Sequence, residues 1–64
     1  MKEVVASFLE GMYYAGALPS RAESYQIARY LKSRKMVSGT MLEVETVVIE
    51  AMKALHQRTE PHAD

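Results

Sequence analysis

Sixty-four residues without a cysteine make one small domain that has no disulfide framework and no thiolate metal site. A chain of this size buries only roughly 60% of its unfolded surface, so folding rests on close helix packing or on oligomerisation. The apolar content is ordinary, which argues against wholesale disorder, and the zero net charge removes the long-range attraction that most DNA binders use.

In chain order, a first helix is predicted over Lys2 to Ala15. Met1, Val4, Val5, Phe8, Leu9, Met12 and Tyr13 form a wide apolar stripe, with Glu3, Ser7, Glu10 and Tyr14 opposite. Gly11 lies inside this helix at a cost of roughly 1 kcal/mol relative to alanine. Val4, Phe8, Gly11 and Ala15 share one face, so the expected compensation is close packing at Gly11 rather than a ligand. Gly16 is placed to end the helix in the left-handed conformation.

Pro19 bars helix at Leu18 by crowding its backbone. Ser20 and Glu23 then form a Ser-x-x-Glu capping box, which starts a second helix near Arg21. Ile27, Ala28 and Leu31 supply its core face and Tyr25 and Tyr30 flank it. Its last turn is basic (Lys32, Arg34, Lys35), which suits the negative end of the helix dipole. Met36 to Gly39 form the next turn. Both connections are short, which favours neighbouring helices packed antiparallel or crossing steeply.

The third helix, Thr40 to Arg58, opens on a second capping box, Thr40 and Glu43. Met41, Val44, Val48, Met52 and Leu55 recur at three- and four-residue steps and mark one face. Leu42, Val47, Ile49, Ala51 and Ala54 are apolar as well, so the helix is apolar around most of its circumference. The first two helices offer too little surface to cover all of it. Residues 59–64 are polar, contain Pro61 and read as a flexible tail following a single domain over residues 1–58.

Charge is unevenly spread. Lys2 against Glu3 and Glu10 makes residues 1–19 carry −1, while Arg21, Arg29, Lys32, Arg34 and Lys35 against Glu23 make residues 20–39 carry +4. Glu43, Glu45, Glu50, Glu60 and Asp64 against Lys53 and Arg58 leave −3 on residues 40–64. The basic and acidic segments either neutralise each other, within the fold or across a dimer, or mark a partner. No stretch reaches the ~18 apolar residues of a membrane span, and Glu3 and Glu10 break any signal-peptide pattern, so a cytoplasmic protein is expected.

The chemistry-bearing residues are sparse. His56, Glu60 and His62 are the only histidine–carboxylate metal candidates, and they prefigure no rigid ligand set. His56 reads instead as a partner of the helix C-terminus. Glu43 and Glu45, two residues apart, point to different helix faces, and Ser20 is occupied as a cap. No enzyme activity, cofactor or small-molecule substrate is expected.

Two readings remain. In the first, the chain is a small regulatory protein acting through protein–protein contact. It would form a homodimer, bind a larger protein, or do both, through Leu42, Val44, Val48, Ile49, Met52 and Leu55 of the third helix. Five methionines, which adapt to irregular surfaces, favour it. In the second, the first two helices form a helix-turn-helix-like DNA-binding unit. Arg21, Ser24, Gln26 and Arg29 would face the bases, and Lys32, Arg34 and Lys35 the phosphates. Met12, where such motifs usually need a small residue, and the long turn at Leu18-Pro19 weaken that fit.

The order of elements is a helix, a glycine, Leu18-Pro19-Ser20-Arg21, a second helix, then an acidic and apolar helix. In general pattern, without a specific motif, it resembles small enterobacterial regulators of the biofilm-connector type. The fold expected from the residues is all-α, three helices with short connections, dimeric through the third.

Overall fold

The computed structural model describes residues 1–59 and contains three α-helices: α1 (Lys2–Tyr14), α2 (Ser24–Ser33) and α3 (Met41–Thr59). A single 3₁₀ turn, Arg21–Glu23, precedes α2, and no strand occurs among the described residues. The all-α class and the three-helix count agree with the sequence pattern. α3 runs through Thr59, one residue into the expected tail, and residues 60–64 lie outside the described residues.

Local chemistry accounts for the helix ends. At the start of α3, the Glu43 amide donates to Thr40 Oγ1 at 3.1 Å and the Thr40 amide donates to Glu43 Oε1 at 3.4 Å. Two amides that a bare helix would leave unpaired are thereby satisfied. The Ser20–Glu23 box also forms, but with the Ser20 amide 3.5 Å from the Glu23 carboxylate, and it heads the 3₁₀ turn instead of α2 directly.

α1 and α2 end alike. The Ala17 amide donates to the Met12 carbonyl at 2.8 Å and the Gly16 amide to the Tyr13 carbonyl at 3.0 Å, with Gly16 at φ +78°. The same pair of bonds, Met36 to Leu31 and Lys35 to Lys32, closes α2. Here the left-handed residue is Lys35, at φ +58°, where a glycine would avoid the Cβ penalty.

α3 is the spine. The nineteen-residue helix is about 28 Å long, and the shorter α1 and α2 lie along it on different flanks. α1 runs parallel to α3: Ala6 lines a hollow with Val47 and Ala51, and Glu10 reaches Arg58. α2 runs antiparallel to both. Val44, Val48 and Met52 are fully buried and Leu55 nearly so, sealed by Val5 and Leu9 from α1 and by Ile27, Ala28 and Leu31 from α2. Each of these side chains larger than alanine contributes roughly 1.5–3 kcal/mol by leaving water.

The backbones of the chain neighbours α1 and α2 stay apart: no Cα of α1 comes within 8 Å of one in α2. The pair runs antiparallel, as the short connection favours, with side chains meeting at Phe8 and Tyr30 while the backbones stay apart. Both α1 and α2 bury their apolar stripes against the larger apolar surface of α3, which leaves their own backbones apart.

Two further ties hold α3 to the rest. Arg58 Nη1 donates to Glu10 Oε2 at 3.1 Å, and that hydrogen bond, with the Glu10 charge, raises the already high Arg58 pKa. His56 Nε2 lies 3.2 Å from the Pro19 carbonyl oxygen. A carbonyl only accepts, so the ring nitrogen facing it carries the proton. His56 thus reaches the connection between α1 and α2, where the sequence suggested a contact with the end of its own helix. Pro19 itself is buried.

Candidate interaction surfaces

The six α3 residues expected to face a partner divide into two groups. Val44, Val48, Met52 and Leu55 point into the core of the single chain and cannot meet a partner without unfolding it. This corrects the expected interface. The two shorter helices cover these four positions because one apolar stripe from each flank suffices to enclose a single helical face. Leu42 and Ile49 remain outside, at 73% and 38% exposure. They sit seven residues apart, two turns, on the same side of α3, with Glu45 half-buried and Thr46 exposed between them.

The nucleic-acid set also divides. Arg21, Gln26, Arg29, Arg34 and Lys35 are exposed and Lys32 is half-buried. Ser24 is 6% exposed and packs inward, so it reaches no base. A helix-turn-helix unit needs its two helices to brace each other. With α1 and α2 both leaning on α3, no Cα of one comes within 8 Å of the other to supply a close brace. Arg34 has a different neighbour: its guanidinium carbon lies 5.4 Å from the centre of the Tyr30 ring, in cation–π range.

Gly11 departs from expectation too. A Cβ built there meets nothing within 4 Å, so no intramolecular contact explains the glycine. The face it shares with Val4, Phe8 and Ala15 is open.

That face forms one wall of a cleft, which the sequence pattern did not reveal. Because α1 and α2 stand apart, their facing flanks enclose an apolar trough on the side away from α3. One half is lined by Val4, Phe8 and Met36, with Glu3 and Ser7 at the edge. The other is lined by Phe8, Met12, Ile27 and Tyr30, with Glu23 and Gln26 at the edge. Phe8 and Tyr30 meet between the halves with ring centroids 5.7 Å apart. Val4, Tyr30 and Met36 are exposed, and Phe8 and Met12 are half-buried. The signal for the cleft was the surplus width of the α1 stripe, which the α3 contact does not use up.

Charge follows the same geometry. Among the described residues the one ion pair is Glu10–Arg58. The basic residues of α2 and its C-terminal turn therefore do not pair with the α3 carboxylates within the chain. No group of three or more histidine, aspartate or glutamate side chains among the described residues is placed to hold a metal ion. No helix among them is long and apolar enough to cross a membrane. No family model, curated protein or solved structure matches the chain.

Proposed function

We propose that this protein is a small non-enzymatic regulator that works by binding protein chains, a second copy of itself among them. The observation that supports this most is the apolar surface left over once the core is complete. Leu42 and Ile49 lie along one side of α3, and Val4, Tyr30 and Met36 line the cleft on the opposite side. A single exposed leucine is unremarkable on any surface, but paired apolar positions two turns apart on one helix form the kind of strip that helices use to associate. Self-association runs through Leu42 and Ile49, the part of the α3 strip that the core does not consume.

The test is the molar mass of the chain by light scattering across a concentration series. Wild type is expected to rise above monomer mass. A Leu42→Glu, Ile49→Glu chain is expected to stay monomeric with unchanged helical circular dichroism. A wild type that remains monomeric at the highest concentration removes the homodimer reading.

DNA binding is the second reading, supported by the exposed Arg21, Arg29, Arg34 and Lys35, which have no ion pair among the described residues. It predicts a gel shift at low salt that weakens steeply with salt and disappears in Arg29→Glu, Lys32→Glu. No shift at low salt removes it.

A further inference from the structure

We infer that the face shared by α2 and α3 receives a second copy of this chain in a reciprocal pairing. The Leu42–Ile49 strip of each copy lies against α2 of the other, and Glu45 between them meets that copy's Arg29 and Lys32. The inference rests on the self-association reading and names which surfaces of the two copies meet.

One face of the molecule carries both halves of this contact. Val47 and Ala51 share a hollow with Ala6, so they mark the α1 side of α3. Met41 and Glu45 lie across the buried Val44–Val48–Met52 stripe, on the α2 side, and both are half-buried. Leu42 and Ile49 continue that flank outward into water. On α2, Ile27 and Tyr30 line the cleft toward α1, which leaves Tyr25, Arg29 and Lys32 on the opposite flank. Tyr25 and Arg29 are exposed there and Lys32 is half-buried. The two flanks adjoin, so Tyr25, Arg29 and Lys32 share one face with Leu42, Glu45 and Ile49.

Charge and symmetry decide how a second copy lies on this face. Glu45 sits between Leu42 and Ile49, so any helix laid along the strip brings a carboxylate into the contact. Neither Glu45 nor Arg29 nor Lys32 has an ion pair among the described residues. In a two-fold dimer with strip against strip, Glu45 approaches its own symmetry mate. That holds for parallel helices, where like meets like, and for antiparallel ones, because position 45 lies midway along the strip. Two carboxylates would then lose water while repelling each other. Turning the second copy so that its α2 covers the strip replaces this repulsion with attraction. The carboxylate meets two cations, and Tyr25, 53% exposed, offers its ring to the strip. The pairing is self-complementary, so one arrangement covers both strips and both α2 edges, and α2 and α3 of each copy form two packed layers. It also uses the charge separation that the single chain leaves unused. Residues 20–39 are basic and residues 40–64 acidic, with no ion pair between them among the described residues.

The experiment measures the self-dissociation constant of the full chain by sedimentation equilibrium, across salt and across charge reversals. Opposite charges are screened by salt, so association of the wild type is expected to weaken severalfold between roughly 0.05 and 0.5 M salt. Glu45→Lys alone, and Arg29→Glu with Lys32→Glu, are each expected to weaken association about tenfold or more. The chain carrying all three substitutions is expected to recover most of that loss. Circular dichroism and Tm confirm that each variant is folded, and the wild-type salt series decides the question even where one is not. Association that strengthens with salt means like charges face each other and overturns the reciprocal pairing. Folded single reversals that associate as tightly as wild type overturn it too, as does a folded triple variant that stays weak. In each of these cases self-association through Leu42 and Ile49 still stands. A wild type that remains monomeric at every concentration and salt removes both.

Discussion

The inner face of α3 and the cleft between α1 and α2 are made of similar side chains, yet only the first is sealed. Val44, Val48 and Met52 lose all contact with water, whereas Val4, Tyr30 and Met36 keep a large part of theirs. The difference lies in the number of neighbours. α3 has a helix on each flank, so its inward stripe is closed from both sides. α1 and α2 share one partner, and where their flanks face each other the Phe8 and Tyr30 rings meet but no Cα pair comes within 8 Å. In this chain the inward stripe of α3 is structural, whereas Val4, Tyr30 and Met36, outside the contacts with α3, stay accessible.

Substitutions can break this comparison. The largest effect is expected for Met52→Ala, on the sealed side, which should cost about 2–5 kcal/mol in chemical denaturation. Phe8→Ala, at the open cleft, removes a larger side chain that is only half-buried, and about 1–2 kcal/mol is expected. Equal losses for the two would mean that the cleft is closed in solution. Gly11→Ala should raise stability by about 1 kcal/mol, because the helix gains propensity and the new methyl group meets nothing. A loss there would show that another surface already packs against Gly11.

Lys35→Gly should stabilise by about 0.5–1 kcal/mol by relieving a left-handed residue, readable as a small rise in Tm. The smallest monomer effect is expected for Leu42→Ser, within about 0.5 kcal/mol, since its side chain is mostly in water already. Self-association should fall all the same. That separation of stability from assembly is what an exposed strip predicts and a core position does not.

Much of the fold was legible in particular residues. Thr40 with Glu43 and Ser20 with Glu23 marked helix starts, and Gly16 marked a stop, because caps and terminators act over five residues or fewer. The three- and four-residue spacing of Ile27, Ala28 and Leu31 identified the buried face of α2. Other features left weaker traces. Lys35 takes a conformation that favours glycine, so its type gave no warning. His56 bonds to Pro19, thirty-seven positions away, which no local pattern reports. Gly11 looked like a site of close packing within the chain and is open.

The candidate surface was the least legible part. Six apolar residues of α3 were expected at the partner surface, and four of them went to the core. The order of three helices, their ends, their buried phases and the separation of basic from acidic segments were determined by the sequence alone, because each depends on residues a few positions apart. Which apolar residues stay in water was decided only by the tertiary structure. Covering a helix flank depends on where distant helices come to lie, and here both outer helices chose α3 over each other.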